Sequence, residues 1–351
     1  MPHEMTRQSP PGPLPPRFGA GVTNGPGAAE GTSPEAPAGA PGGTAAPAPA
    51  SLVAADGAAR TGPAPIPPAQ PFHHLDTQWL QVAGTLCNLA CTHCFVTCGP
   101  HEDRHAMMTL ADVRARFDEA RALGVNEVYL TGGEPFLNPE LEAIVEHLLP
   151  HVPVTILTNG TLFTRARIAW LVQCTARERH SLELRVSLDG LDAAAHDAFR
   201  GPGAWLRTLD GLRALVAAGL LPIVTVTQPE HMEARAFAAR CTAVLRAEGI
   251  VQPRLKLLPM FRLGREAVRR GGEPAPASLH DLPPGAFDAH RLQCGSCRAV
   301  TSRGVYVCPL LVDEPGGRMA DTLAASLRPY PLAHSACATC WATGMSCANH
   351  G

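Results

Sequence analysis

Two groups of cysteines carry most of the chemical information in this 351-residue chain. Ten of the twelve cysteines fall within residues 87–98 or 294–347. Cys174 and Cys241 stand alone in helical sequence, where we expect small buried side chains. We find no apolar segment of an export signal at the N-terminus, so the clustered cysteines indicate metal or redox chemistry rather than disulfides.

The first group contains Cys87, Cys91 and Cys94, separated by three and then two residues. Three thiolates on one loop can bind three irons of a cubane cluster and leave the fourth iron open to a small molecule. Zinc is the competing metal, and a structural zinc site would need a fourth ligand. The nearby candidates for that ligand are Cys98, His93, His101 and His105.

The second group lies in the C-terminal 58 residues and contains two pairs with two residues between them. Its members are Cys294, Cys297, Cys308, Cys337, Cys340 and Cys347. Such a set predicts a metal centre. Six ligands can be divided into one four-cysteine cluster with two free thiols, or two clusters with about three each. A zinc knuckle is the alternative.

Between the two groups, hydrophobic patterns of strand and helix alternate. The predicted strands span residues 77–83, 126–130, 154–157, 182–188, 223–227 and 254–258. Regular alternation predicts a parallel α/β sheet, and six units are fewer than a full eightfold barrel needs. We therefore predict a partial (β/α)6 TIM-like barrel, with reactive groups in the loops at the carboxyl ends of the strands.

Composition predicts three regions. Residues 1–71 hold 17 of the 35 prolines and few bulky apolar residues, which predicts a disordered N-terminal tail. We assign residues 72–265 to the partial barrel and 290–351 to a small cysteine-rich C-terminal extension.

The overall charge and hydropathy predict no nucleic-acid or membrane partner. The net charge is −2 and the pI is near 6.7, so no global attraction to nucleic acid or an anionic membrane is expected. The longest apolar run, residues 214–227, is interrupted and too short to span a bilayer. We expect a cytoplasmic protein.

The first cysteine loop resembles the cluster-binding motif of the radical S-adenosylmethionine (SAM) family. Three further segments resemble family motifs in the same order: Thr-Gly-Gly-Glu-Pro at 131–135, Thr-Asn-Gly at 158–160 and Ser-Leu-Asp-Gly at 187–190. The resemblance implicates these residues in cofactor binding: His93, Gly132, Gly133, Glu134, Asn159, Ser187 and Asp189. His93 is a departure, because the family usually has Tyr, Phe or Trp at that position.

The resemblance also implies individual roles. Gly132 and Gly133 would let the backbone approach the methionine ammonium of SAM closely. Glu134 would accept from that ammonium or hold the loop, and Asp189 would bind the ribose hydroxyls. Arg200 would pair with the SAM carboxylate or remain a surface arginine.

The resemblance implies an enzyme that cleaves SAM reductively at a [4Fe-4S] cluster and yields a 5′-deoxyadenosyl radical, which takes hydrogen from a substrate. The second cysteine group is similar to the SPASM and twitch extensions, which bind one or two auxiliary [4Fe-4S] clusters. Relatives with such extensions modify peptides or mature other proteins. The alternatives are a twitch-type enzyme of small-molecule or cofactor biosynthesis and a non-catalytic zinc or iron–sulfur protein. A ferredoxin or flavodoxin is the expected electron donor.

Overall fold

The computed structural model describes residues 66–177, 179–271, 279, 282 and 285–344. The strands are β1 (Ala69–Gln70), β2 (Thr77–Leu80), β3 (Glu127–Leu130), β4 (Val154–Thr158), β5 (Leu182–Ser187), β6 (Ile223–Gln228), β7 (Arg254–Pro259), β8 (Cys297–Thr301), β9 (Gly304–Tyr306), β10 (Arg318–Ala320) and β11 (Tyr330–Pro331). The α-helices are α1 (Leu110–Ala122), α2 (Leu141–Leu148), α3 (Arg165–Arg177), α4 (Ala193–Arg200), α5 (Ala204–Ala217), α6 (Ala234–Ala247), α7 (Gly264–Arg269), α8 (Leu323–Ser326) and α9 (Ser335–Thr343).

A nine-stranded sheet organises the fold, with the strand order β10-β9-β8-β2-β3-β4-β5-β6-β7. Strands β2 to β7 are parallel and lie side by side in chain order, with helices in the connections. Because β7 and β10 are its two edges, the sheet is an open, partial barrel. The predicted partial (β/α)6 architecture is confirmed.

The cysteine-rich C-terminal residues extend this same sheet. Strand β8 pairs in parallel with β2, which places Cys297 opposite Thr77, and β8 to β10 then form an antiparallel meander. A separate two-stranded sheet is formed by β1, near the start of the described residues, and β11, near their end. Residues 1–65 lie outside the described residues, and the predicted bounds of the tail, barrel and extension stay predictions.

The helices cover one face of the sheet with apolar side chains. Val113, Phe117 and Ala120 of α1 are buried there. The longest helices of the described residues, α5 and α6, have 14 residues each. None of the helices in the described segments is long and apolar enough to cross a membrane.

Helix α2 begins later than its sequence predicts. Asparagine is a common helix cap and proline a common first helical residue, so Asn138 and Pro139 predict a helix from residue 139, but the helix starts at Leu141. The Asn138 side chain instead donates to the carbonyls of Val82 and Met108 and accepts from the Glu140 backbone N–H. The amide nitrogen is thus fixed against distant carbonyls while the oxygen still accepts from the chain ahead of the helix, and the regular helix begins two residues later than predicted.

Thr109 caps α1 as its sequence predicts, and replacing it should weaken this helix. Its hydroxyl accepts from the Asp112 N–H, and the Asp112 carboxylate accepts from the Thr109 N–H. We expect Thr109→Ala to lower the free energy of unfolding by about 1 kcal/mol, because the Asp112 N–H loses its acceptor at the start of the helix. Urea denaturation followed by circular dichroism measures this. Thr175→Ala, at an exposed position inside α3, is the control, and an equal effect of both variants would contradict the capping role.

Candidate active site

A cavity of about 220 Å³ opens at the carboxyl ends of strands β2 to β7. It brings together the three cysteines of the first group and most of the residues predicted to bind SAM. These lining residues are Cys87, Cys91, Cys94, His93, Gly132, Gly133, Asn159, Ser187 and Asp189. Glu134 does not line the cavity. Convergence at the strand ends is the arrangement that parallel β/α topology predicts.

The cysteine loop is bound to the loop after β3 through main-chain contacts. Gly133 N–H donates to the Gly84 carbonyl over 2.9 Å, and Glu134 N–H donates to the Leu86 carbonyl over 3.0 Å. A Cβ on Gly133 would lie 1.9 Å from the Leu86 carbonyl oxygen, which no side chain tolerates. Gly133 is therefore required for the approach of the cysteine loop itself.

Glu134 holds two strand ends together. Its fully buried carboxylate accepts from the Thr158 hydroxyl at 2.7 Å, from Asn159 N–H at 2.8 Å and from Phe136 N–H at 3.2 Å. Burial raises the pKa of this carboxyl group, and the three donors act against that rise. Of the two roles that the sequence allowed, this geometry supports holding the loop.

Two of the three thiol groups already receive hydrogen bonds. Cys98 N–H donates to the Cys94 sulfur over 3.3 Å, and Asn159 Nδ2 donates to the Cys87 sulfur over 3.8 Å. A hydrogen bond from the Cys98 thiol lowers the pKa of Cys94 to about 5, whereas burial raises the pKa of Cys87 to about 12. A bound metal reverses the latter effect, because a coordinating thiol is deprotonated.

The donor set fits an iron–sulfur cluster. Three sulfur atoms line one cavity, and N–H donors are directed at two of them, as in iron–sulfur sites. In the described part of the chain, no three His, Cys, Asp or Glu side chains are gathered for a single metal ion. Two of the candidate fourth zinc ligands have carboxylate partners: His93 contacts Asp189, and His105 contacts Asp313. Each contact uses Nε2 alone, so the three sulfur atoms, rather than these histidines, carry the case for a cluster in this loop.

Asp189 is the centre of a buried polar network at the end of β5. Its carboxylate accepts from Arg200 Nε at 2.6 Å, lies 2.9 Å from His93 Nε2 and accepts from Thr227 N–H at 3.0 Å. Burial raises the pKa of Asp189, but Arg200, His93 and Thr227 outweigh it and hold the pKa well below its ordinary value. His93 therefore joins the cysteine loop to β5.

Arg200 and His93 answer two questions that the sequence left open. Arg200 pairs with Asp189 and its side chain is 11% exposed, whereas the sequence offered a SAM carboxylate partner or a surface position. The His93 ring also meets the Phe199 ring edge-on, with 5.0 Å between the centroids. The imidazole thus packs against an aromatic ring while its Nε2 serves the carboxylate.

Two further residues position the cysteine loop and were not found from the sequence. Arg265 donates through its backbone N–H to the Cys94 carbonyl and through its guanidinium to the Cys91 carbonyl. Arg104 donates to the carbonyls of Val96 and Thr97 over 2.8 Å. Isolated arginines in loops carry no motif, so only the tertiary structure reveals these contacts.

The second cysteine group surrounds a smaller cavity of about 40 Å³. Five of its members line this space: Cys294, Cys297, Cys308, Cys337 and Cys340. The β8–β9 hairpin brings Cys297 and Cys308 to one end, and α9 presents Cys337 and Cys340, three residues apart, on one helix face. Cys347 lies outside the described residues.

The two cavities share a wall. Leu310, which follows Cys308, lines both of them. Ala299 and Val312 from the same C-terminal region also line the larger cavity. The cysteine-rich region therefore forms part of the wall of the larger cavity rather than a separate module at a distance.

Comparison with known proteins assigns one part of the chain to a family. The model of the Radical SAM superfamily matches residues 82–233, which include the first cysteine loop and the strand ends around the larger cavity. This part of the chain, 152 of its 351 residues, is a radical SAM domain. This family uses SAM and a [4Fe-4S] cluster, the pair of cofactors that the sequence predicts.

Curated relatives match less than half of this chain. A probable GTP 3′,8-cyclase of Halobacterium salinarum is 34% identical over 142 residues, which cover 39% of this chain and 38% of the relative. The mycofactocin maturase MftC of Mycobacterium tuberculosis is 30% identical over 156 residues, covering 43% of this chain and 38% of the relative. The match thus spans less than half the length of either relative.

A solved structure extends the likeness in fold beyond the part of the chain that the family model matches. Streptococcus suis SuiB bound to the precursor peptide SuiA superposes with a TM-score of 0.54 and 15% identity. The match covers 73% of this chain and 65% of SuiB. At this identity, the similarity establishes the fold alone.

Asp189→Asn should destabilise the radical SAM domain in a pH-dependent way. We expect a loss of about 3 kcal/mol at pH 7, because the variant leaves the buried Arg200 without its anion. A lowered folded-state pKa gives stability that is present above the ordinary value of 3.8 and lost as the pH falls through the folded-state pKa. The difference between wild type and variant should therefore shrink below about pH 4.

Urea denaturation of the metal-free protein from pH 7 to pH 3 measures this difference. Asp210→Asn, at an exposed aspartate of α5, is the matched control and should show little effect at any pH. A constant difference for Asp189→Asn across the whole pH range would contradict the proposed charge network.

Proposed function

We propose that this chain is a radical SAM enzyme whose catalytic cluster is bound by Cys87, Cys91 and Cys94. The supporting observation is the cavity in which these three thiols face the strand-end residues of the same family motifs. When bound, the cluster and SAM supply one-electron cleavage of the sulfonium and an organic radical that removes hydrogen from a substrate. Bond cleavage by single electrons needs a donor, and a ferredoxin or flavodoxin fits the cytoplasmic location that we propose.

The residues around the cavity would bind and orient SAM rather than react with it. Gly132 and Gly133 expose backbone to the cavity, and Asn159 and Ser187 line its wall. The Asp189 carboxylate already contacts Arg200, His93 and Thr227. We therefore infer that its main role is to position this wall of the cavity, and that it would contact the SAM ribose together with these partners. Apolar neighbours such as Leu157 and Leu258 limit the access of water.

We propose that the C-terminal cysteines bind an auxiliary [4Fe-4S] cluster of the SPASM or twitch type. Five of them line one small space, which supports a single cluster among the described residues rather than two. The shared wall at Leu310 puts this centre next to the larger cavity, where it could anchor a substrate or accept an electron. A peptide or protein substrate is our leading proposal, since MftC is a maturase and SuiB binds a precursor peptide.

A small-molecule substrate is the second candidate. It is favoured by the GTP 3′,8-cyclase relative, which has a higher identity than MftC over the matched segment. Residues 82–233 hold the shared cofactor machinery, so this similarity bears on the cofactor more than on the substrate.

SAM cleavage tests the catalytic proposal. The full chain is reconstituted with iron and sulfide without oxygen, reduced with dithionite and assayed for 5′-deoxyadenosine by mass spectrometry. We expect release above the no-enzyme background, and a drop to that background in the Cys87→Ala/Cys91→Ala/Cys94→Ala variant because the cluster loses its ligands. Cys241→Ala, a buried cysteine of α6 that lines neither cavity, should keep the activity. If the iron-loaded wild-type protein releases no 5′-deoxyadenosine, the proposal is contradicted.

The iron content of the same triple variant tests the auxiliary centre. We expect about four irons and four sulfides per chain, which corresponds to one cubane cluster. About eight irons would mean two clusters and would contradict the single centre, and zinc in place of iron would contradict an iron–sulfur centre altogether. Further replacement of Cys297 and Cys308 by alanine should remove the remaining iron.

A further inference from the structure

Arg298 is the second residue of β8 and lies directly after Cys297. Its side chain is the largest of the fully buried side chains among the described residues, with 1% of its surface exposed. Arginine is almost never buried to this extent unless an anion pairs with it. The placement of this charge therefore requires a compensating group.

Backbone carbonyl groups satisfy every N–H of the guanidinium. Nη1 donates to the carbonyls of Cys294 at 2.9 Å and Cys297 at 2.7 Å. Nε and Nη2 donate to the Ser326 carbonyl, and Nη2 also donates to the Arg328 carbonyl. The five donors of the fork thus make five hydrogen bonds, so Arg298 ties the first cysteine pair to the segment that precedes β11 and α9.

Hydrogen bonding does not neutralise the charge. Among the described residues, no Asp or Glu carboxylate forms an ion pair with Arg298. The face of the Phe72 ring, with its centroid 4.2 Å from Cζ, offers only a weak cation–π attraction. A buried cation is costly without an anion nearby, so the structure leaves a positive charge to be balanced.

The neighbouring cysteines can supply this negative charge. Two of the four carbonyl acceptors belong to Cys294 and Cys297, whose side chains line the smaller cavity together with Cys308. Thiols that bind a metal are deprotonated, and several thiolates around an iron–sulfur core leave a net negative centre. An anionic centre in this cavity and the Arg298 guanidinium would each compensate the other.

We propose that Arg298 is the fixed counter-charge and backbone anchor of an anionic iron–sulfur centre bound by the C-terminal cysteines. This inference rests on the auxiliary cluster proposed above. Arg298 is a positioning residue, since it contacts cysteine backbone rather than the centre. Because a nearby positive charge favours the reduced and more negative form, Arg298 raises the reduction potential of the centre.

The test uses the full chain carrying Cys87→Ala/Cys91→Ala/Cys94→Ala, so that any iron belongs to the C-terminal centre. Into this parent we introduce Arg298→Gln, which removes the charge, or Arg298→Lys, which keeps the charge but loses the five-bond fork. Arg303→Gln, at an exposed arginine of the β8–β9 turn, is the matched control. Each protein is reconstituted without oxygen, and its iron, sulfide and midpoint potential are measured, the last by a redox titration followed by electron paramagnetic resonance.

We expect Arg298→Gln to shift the midpoint potential to more negative values and to lower the iron content at least twofold. Arg298→Lys should keep a midpoint potential near that of the parent while losing part of the iron, and Arg303→Gln should match the parent in both. If the role of Arg298 were purely structural, the variants would differ in iron content, but their midpoint potentials would not depend on the charge at residue 298.

Two failures are distinguishable. A parent without C-terminal iron overturns the auxiliary cluster and this inference with it. A parent with iron, whose potential and iron content are unchanged in Arg298→Gln, overturns only the role of Arg298. If Arg298→Gln does not fold, Arg298→Lys is the test, because lysine keeps the positive charge. A midpoint potential of Arg298→Lys that is measurably more negative than the parent's would then contradict a role for the charge.

Discussion

A close main-chain contact between the cysteine loop and the loop after β3 is the constraint on which the cluster site depends. The Leu86 carbonyl accepts from Glu134 N–H and lies where a side chain on Gly133 would have to be. The Glu134 carboxylate then reaches the end of β4 through Thr158 and Asn159. One glycine and one buried carboxylate therefore set the relative positions of three strand ends before any cofactor is bound.

The sequence predicted the architecture well because periodicity and turn residues are local signals. All six predicted parallel strands exist, and their order along the sheet follows the chain. The predicted start of α2 was wrong by two residues. The Asn138 amide donates to carbonyls of distant residues, which no local pattern encodes. In the site, motif positions were predictable, but the partners of Asp189 and the roles of Arg265 and Arg104 depend on loops that meet only in the folded chain.

The sheet, rather than either cysteine motif, brings the two cysteine groups close together. Strand β8 pairs with β2, and β2 leads into the first cysteine loop, so both groups approach from adjacent strands. Leu310 can line both cavities for this reason. A substrate held between them would meet the catalytic cofactor on one side and the C-terminal centre on the other, which is the arrangement that electron acceptance after hydrogen removal requires.

The two sites differ in whether the protein itself balances their buried charge. Around the larger cavity, the Asp189 carboxylate is matched by the Arg200 guanidinium, so the charges of this pair are balanced within the protein. At the smaller cavity, Arg298 has five hydrogen bonds but no carboxylate within the described chain. Hydrogen bonds satisfy geometry, whereas only an opposite charge offsets the loss of hydration of an ion. The asymmetry is therefore expected if the second site completes its electrostatics with a thiolate-bound metal centre, and it would be hard to maintain in a protein whose C-terminal cysteines stayed neutral.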